Sequence, residues 1–135
     1  MKDTAAIIVA GGKGLRFGGK IRKQYLRLNG RPILWWSLNA FQRSPSVDAI
    51  VLVVPSDDIA AIRKISGLSK ISKLQKVVAG GKTRQESVQH GLSALDPHIR
   101  WVAVHDAVRP CVSHAVIDAV FTAAAKDGAA MPGIK

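Results

Sequence analysis

Two short runs of apolar residues, each closed by a residue that interrupts regular structure, constrain the fold of this chain most strongly. Residues 5–10 are continuously apolar and end at Gly11, and residues 49–54 repeat the pattern and end at Pro55. Such a run, without polar alternation, is typical of a strand buried on both faces, as in a parallel sheet. Shorter runs occur at residues 76–79 and 101–104. The sequence therefore predicts four parallel strands.

Segments with the helical spacing of apolar residues alternate with these runs. They cover residues 33–41, 57–65, 84–95 and 115–125, and a basic stretch at 70–76 is expected to be a solvated loop. Capping residues precede three of them: Ser56, Thr83 with Glu86 in capping-box spacing, and Ser113. The alternation predicts an α/β three-layer sandwich with a mainly parallel, Rossmann-like sheet.

Length and charge narrow what this chain can be. Its 135 residues fit one domain, residues 1–135, that is large enough to bury a core. The 20 Lys and Arg residues against 9 Asp and Glu give a formal net charge of +11, which indicates an anionic partner. Cys111 is the single cysteine, and no apolar run approaches the ~20 residues of a membrane helix. We therefore expect a soluble, cytoplasmic protein without a membrane partner.

The segment after the first strand concentrates glycine and positive charge. Seven basic residues and no acidic residue lie between Gly12 and Arg31. Glycines let successive backbone N–H groups face phosphate oxygens, and Arg and Lys neutralise the remaining charge of a polyphosphate. Two known phosphate patterns fail, because Phe17 replaces the third glycine of the dinucleotide pattern and Ile21 replaces the Ser or Thr of the P-loop. The sequence predicts a different phosphate loop, at the carboxyl edge of the sheet.

Three blocks in fixed order resemble one family of nucleotidyltransferases. The first is A-G-G-K-G-L-R at residues 10–16 with K-Q-Y-L at 23–26, the second is G-G-K-T-R-Q-E-S-V-Q-H-G-L at 80–92, and the third is H-D-A-V-R-P-C at 105–111. These blocks are similar to those of the 2-C-methyl-D-erythritol 4-phosphate cytidylyltransferases, with the ribitol-5-phosphate cytidylyltransferases as close relatives. The resemblance implies a three-layer α/β fold of the nucleotidyltransferase type.

The resemblance also implies a reaction and a set of site residues. CMP would pass from CTP to 2-C-methyl-D-erythritol 4-phosphate with release of pyrophosphate, in non-mevalonate isoprenoid biosynthesis. Positioned cations and a metal ion would offset the charge that builds on the reacting phosphate. Catalytic cations would be Arg16 and Lys23, and Asp106 and Arg109 would contact the second substrate, with Asp106 also holding Mg²⁺. Contacts to the nucleotide would come from Ala10, Gly11, Gly12, Gly14, Gly80, Gly81, Ser87 and Asp106.

His105 is a rival candidate, as a general base. A phosphate nucleophile needs no deprotonation, so we interpret His105 as structural. The other histidines share no metal-ligand spacing with Cys111, and we predict no transition-metal site.

Two alternatives remain open at this point. The same fold is compatible with transfer to another polyol or sugar phosphate, such as ribitol 5-phosphate, and the positive charge is compatible with a module that binds nucleic acid without catalysis. The chain is also shorter than members of the family, so we expect a domain that is incomplete at its C-terminus, with residues 128–135 beginning a fifth strand. At full length, the resemblance implies a homodimer that binds CTP and a polyol phosphate, and no nucleic acid.

Overall fold

A computed structural model describes residues 2–10 and 22–134, and its elements follow the predicted alternation. The strands are β1 (Thr4–Val9), β2 (Arg27–Leu28), β3 (Arg31–Pro32), β4 (Ala49–Val54), β5 (Leu74–Ala79) and β6 (Trp101–Asp106). The α-helices are α1 (Ile33–Arg43), α2 (Ile59–Ile62), α3 (Arg84–Ser93) and α4 (His114–Asp127). Four strands form a parallel sheet in the order β5-β4-β1-β6.

The apolar runs of β1 and β4 are buried because helices cover both faces of the middle of this sheet. Successive side chains of a strand point to opposite faces, so Ile8 of β1 lies in a core with α1, α2 and α4, whereas Ile7 packs with residues of α3. The side chains of β4 also alternate between these two cores, and all six residues of the strand are buried. The predicted α/β three-layer sandwich with a mainly parallel sheet is confirmed.

A tight hairpin connects the segment after β1 to α1. β2 and β3 pair antiparallel, and Asn29 and Gly30 between them have φ values of 50° and 81°. Two consecutive positive φ values are the signature of a type I′ turn, which Asn-Gly favours. α1 begins directly after Pro32, so the hairpin leads into the helix without an intervening loop.

Three expectations about local structure are wrong. β5 begins at Leu74 inside the predicted loop, because an edge strand tolerates the exposed side chains of Gln75 and Lys76. The predicted helix 57–65 is a 3₁₀ turn (Ser56–Asp58) followed by the four residues of α2, without a side-chain cap. The carboxylate of Asp58 is bound by residues 22 and 25 instead. Residues 128–134 form no strand, since they are exposed and pair with none of the described strands.

No helix within the described residues has the length and apolar character needed to cross a membrane.

Candidate functional site

The carboxyl ends of three strands bring the predicted segments to one edge of the sheet. The N–H of Ala10, just beyond β1, donates to the carbonyl of Val53 at 2.7 Å, and the N–H of Gly80, just beyond β5, donates to the carbonyl of Val54 at 2.7 Å. On the other side of β1, Val9 pairs with Asp106 at the end of β6. The two hydrogen bonds continue the ladder past β1 and β5, so Ala10, Gly80 and Asp106 lie along one edge, at the ends of β1, β5 and β6, with the end of β4 between Gly80 and Ala10.

The loop between β5 and α3 has its backbone N–H groups already engaged. That of Gly81 donates to the Ser87 hydroxyl at 3.1 Å, and that of Lys82 donates to Glu86 Oε2 at 2.6 Å. Since the N–H of Gly80 is held by β4, the carbonyl oxygens of this loop are the backbone groups available to a ligand. Ser87 is buried, with 2% of its surface exposed. Its hydroxyl therefore fixes the loop, and its contact with a nucleotide remains a prediction.

Both glycines of this loop are required by the packing of the helix that follows. A Cβ atom at Gly80 would lie 2.7 Å from Ser87 Oγ, and one at Gly81 would lie 2.3 Å from Glu86 Cβ. A side chain at Gly81 would require a shift of the loop or the helix, and one at Gly80 would displace the Ser87 hydroxyl that binds the N–H of Gly81. The two glycines thus allow the loop to close against the first turn of α3.

The capping box predicted at the start of α3 is confirmed. Thr83 Oγ1 accepts a hydrogen bond from the N–H of Glu86 at 3.1 Å, and Glu86 Oε2 accepts one from the N–H of Thr83 at 3.2 Å. Further along α3, a Cβ at Gly91 would lie 2.6 Å from Ile7 Cγ2, so this helix packs directly on the sheet. α3 is therefore fixed at its N-terminus by its own sequence and along its length by close packing.

Asp106 lies between two arginines at this edge. Its Oδ1 accepts from Arg84 Nη2 at 3.1 Å, and its Oδ2 pairs with Arg109 Nε at 3.4 Å. The side chains are partly open to solvent, 34% for Asp106, 61% for Arg84 and 75% for Arg109. The cluster combines one carboxylate with two guanidinium groups, a net positive charge that suits a phosphate group. Sequence reasoning missed Arg84, although it is the arginine of the second block.

The fit of a magnesium ion at this cluster depends on Asp106 alone. No group of three or more His, Cys, Asp or Glu side chains that can hold a metal ion occurs within residues 2–10 and 22–134. Magnesium does not require one, because it is often held by one or two carboxylates together with substrate phosphates and water. The Asp106 carboxylate fits that mode, although an ion there would compete with an arginine for an oxygen.

His105 contacts the backbone of the turn rather than the edge of the sheet. Its ring packs against Phe41 with centroids 4.9 Å apart, and its Nε2 lies 2.9 Å from the carbonyl oxygen of Arg109. Burial lowers the pKa of His105, although the hydrogen bond to Arg109 acts in the opposite direction. These contacts agree with the structural role that the sequence indicated.

Lys23 lies in a 3₁₀ turn, residues 23–25, whose neighbouring side chains are tied to other parts of the chain. Buried Gln24 donates from Nε2 to the carbonyl of Ala10 at 3.1 Å. Arg22 and Tyr25 both donate to Asp58 Oδ2, at 2.9 Å and 2.7 Å. The sequence singled out Lys23 but gave no sign of the role of Asp58, which is 33 residues or more from its partners.

The remaining predicted site residues, Gly11, Gly12, Gly14 and Arg16, lie outside the described residues.

Comparison with known proteins identifies a family whose members are similar to this chain. The family model of IspD, 2-C-methyl-D-erythritol 4-phosphate cytidylyltransferase, matches residues 4–134. A 2-C-methyl-D-erythritol 4-phosphate cytidylyltransferase of Clostridium botulinum (strain Loch Maree) is 42% identical over 99% of this chain and 58% of its own length. One of Porphyromonas gingivalis (strain ATCC 33277) is 48% identical over 94% of this chain and 56% of its own length. The chain thus spans a little over half the length of the curated relatives it matches.

Solved structures give the same result. The 4-diphosphocytidyl-2C-methyl-D-erythritol synthase of Anaerococcus prevotii superposes with a TM-score of 0.77 at 36% identity, over 90% of this chain and 50% of that one. The 2-C-methyl-D-erythritol 4-phosphate cytidylyltransferase of Francisella tularensis has a TM-score of 0.68 at 31% identity, over 93% of this chain and 53% of that one.

Proposed function

We propose that this chain, which belongs to the 2-C-methyl-D-erythritol 4-phosphate cytidylyltransferase family, carries the CTP-binding edge of an enzyme that transfers CMP from CTP to 2-C-methyl-D-erythritol 4-phosphate. The observation that supports this most directly is that three parts of the chain meet at one edge of the sheet: Ala10, Asp106, and the loop before α3 with the first turn of that helix, together called the 80–87 loop. Each belongs to a different sequence block, and only the fold brings the three blocks together. Ligands of open α/β sheets bind at such an edge.

The 80–87 loop supports a preference for cytosine. The N–H groups of residues 80–83 are engaged within the protein, so this part of the segment offers carbonyl oxygens to a base edge. Cytosine carries a donor amino group at N4, whereas uracil carries an acceptor oxygen at the same position. A loop that presents acceptors pairs with the first and leaves the second unpaired. The loop therefore favours CTP over UTP, whereas the preference over ATP, whose adenine also carries a donor amino group, rests on the family resemblance.

The charged groups account for transfer between two anions. The attacking phosphate of the polyol is already ionised, so the reaction needs no general base. Lys23 and Arg16 are proposed to balance the charge that develops on the α-phosphate, and Arg109 to bind the phosphate of the polyol beside Asp106. Asp106 would hold Mg²⁺, which supplies further positive charge to the phosphates when bound. Release of pyrophosphate completes the reaction.

The surroundings of the enzyme are also part of the proposal. We expect a cytoplasmic homodimer that binds CTP and a polyol phosphate, with no nucleic-acid or membrane partner. The family resemblance supports the dimer, and the single, exposed Cys111 is compatible with a reducing compartment.

Calorimetric titration of this chain tests the proposal, with CTP, UTP and ATP compared in the presence of Mg²⁺. We expect CTP to bind about tenfold or more tightly than UTP, within the discrimination of one base-edge contact. Lys23→Ala should weaken CTP binding, whereas Lys126→Ala, at the far end of α4, should not. Equal affinity for all three nucleotides would contradict the proposal. Tight binding of a DNA or RNA oligomer with a steep salt dependence would instead support a nucleic-acid module.

A further inference from the structure

The turn that carries Lys23 is anchored on both sides of that residue. Arg22, immediately before it, and Tyr25, two residues after it, donate to the same oxygen, Oδ2 of Asp58. Gln24 donates to the carbonyl of Ala10 at the end of β1. Within the turn, the N–H of Tyr25 donates to the carbonyl of Arg22 at 2.9 Å, which closes the backbone. The side chains of Arg22, Gln24 and Tyr25 therefore bind other parts of the chain on both sides of Lys23.

These anchors are shielded from water, so they hold more firmly than ordinary surface contacts. The side chain of Asp58 is 16% exposed and that of Arg22 is 26% exposed, whereas the Arg84–Asp106 pair is 61% and 34% exposed. Partial burial strengthens a hydrogen bond to a charged group. Burial and the neighbouring Asp58 raise the pKa of the Tyr25 phenol far above its ordinary value. The phenol thus stays protonated and remains a donor.

The anchors join the turn to two neighbouring strands. Ala10 follows β1, and Asp58 lies in the 3₁₀ turn that follows β4. β1 and β4 are paired in the middle of the sheet, so the turn is fixed across the edge where the three sequence blocks meet. The backbone at Lys23 is thereby fixed relative to both strand ends.

We propose that Asp58 is a positioning residue for Lys23: by binding Arg22 and Tyr25 together, it holds the turn so that Lys23 meets the phosphates of the nucleotide. The inference rests on the proposed function, because it takes Lys23 to be a phosphate contact. Asp58 itself touches no substrate. Its own negative charge opposes the binding of a triphosphate, so its contribution through position and its contribution through charge have opposite signs.

That opposition gives a sharp test, which is calorimetric titration of the chain with CTP and Mg²⁺. Asp58→Asn should weaken CTP binding by about tenfold. Asp57→Asn is the matched control, because it removes the same charge from the adjacent, exposed residue of the same turn. It should leave CTP affinity unchanged or slightly higher. Tyr25→Phe keeps the Arg22–Asp58 pair and removes one hydrogen bond, so it should weaken binding by a smaller factor.

A double-mutant cycle separates positioning from a general loss of structure. In a Lys23→Ala background, Asp58→Asn should change CTP affinity by less than about twofold, because the residue it positions is gone. CTP binding by Asp58→Asn that equals or exceeds that of the unaltered chain would overturn the inference, as would an undiminished loss in the Lys23→Ala background. If Asp58→Asn fails to fold, as judged by circular dichroism, Tyr25→Phe and its cycle with Lys23→Ala decide the matter. If the unaltered chain binds no CTP, the proposed function fails and this inference fails with it.

Discussion

Two segments at the carboxyl edge of the sheet are held in opposite ways. The 80–87 loop is fixed chiefly by partners three to six residues away, Thr83 with Glu86, Lys82 with Glu86, and Gly81 with Ser87. A more distant backbone bond is that of the Gly80 N–H to the carbonyl of Val54, where the loop leaves the sheet. The 22–25 turn is fixed by partners 14 to 36 residues away, the carbonyl of Ala10 and the carboxylate of Asp58.

This difference has consequences for folding and for substitution. A segment with local partners forms its contacts as soon as its own helix forms, with little loss of chain entropy. A segment with distant partners takes its shape only after β1, β4 and the 3₁₀ turn at Ser56–Asp58 are in place. We therefore expect the 22–25 turn to be sensitive to changes far from it in sequence, and the 80–87 loop to be sensitive chiefly to changes within α3.

The largest effect is expected from a substitution that disrupts the packing of α3 on the sheet, because the 80–87 loop also depends on that packing. Gly91→Val should lower the free energy of unfolding by about 1–3 kcal/mol or more, because its side chain would collide with Ile7 and Val53. Urea unfolding measures the loss. Gln89→Val, an exposed change in the same helix, controls for the poorer helix propensity of valine. Equal losses in the two variants would show that Gly91 is not a packing requirement.

The next effect concerns the distant anchor. Gln24→Ala should cost about 1–3 kcal/mol in unfolding free energy, because it removes a buried donor and leaves the carbonyl of Ala10 without it. CTP affinity should fall as well, since Gln24 is next to Lys23. Gln75→Ala, exposed on β5, is the control and should change neither quantity. A loss of stability without a change in CTP affinity would contradict the link between this anchor and the site.

A smaller effect is expected from the local contacts. Thr83→Ala should cost about 1 kcal/mol, the usual value of an N-cap. Ser113→Ala removes the corresponding cap of α4, where Ser113 accepts from the N–H of Val116, and should cost a similar amount. Only Thr83→Ala should weaken CTP binding, because only that cap lies beside the 80–87 loop. Similar effects of the two variants on CTP affinity would argue against a role for the cap in shaping the site.

The smallest effect is expected in the pH dependence of stability. It involves His105, which contacts the turn after β6. Burial lowers the pKa of His105, so the unfolded chain binds a proton more readily than the folded protein. Stability from neutral His105 is thus fully present above the ordinary pKa of about 6.5 and is lost as the pH falls below it. Unfolding midpoints in urea at pH 7.5 and 5.5 should differ less in His105→Gln than in the unaltered chain. His98→Gln, an exposed change, should keep the full difference.

Much of the fold and part of the site could be predicted from the sequence. The four strands of the parallel sheet follow from apolar runs, and the starts of α3 and α4 from capping residues, because these signals report burial and hydrogen bonds within a few residues. The family blocks predicted Asp106, Gly80 and Gly81 as site residues, and the fold places all three at the carboxyl edge of the sheet. The helix predicted over 57–65 is too long: residues 56–58 form a 3₁₀ turn, in which Asp58 binds Arg22 and Tyr25, and α2 covers only Ile59–Ile62.

Four strands of the parallel sheet, the starts of α3 and α4, and the blocks that contain the candidate site all follow from the sequence, whereas the β2–β3 hairpin does not. The strand order β5-β4-β1-β6, the pairing of Arg84 with Asp106, and the binding of the Lys23 turn by Asp58 are visible only in the folded protein. The two kinds of feature differ in the sequence distance over which they are set. Periodicity and capping are properties of neighbouring residues, whereas the choice of a partner 22 or 36 residues away depends on how the packed sheet arranges the strand ends.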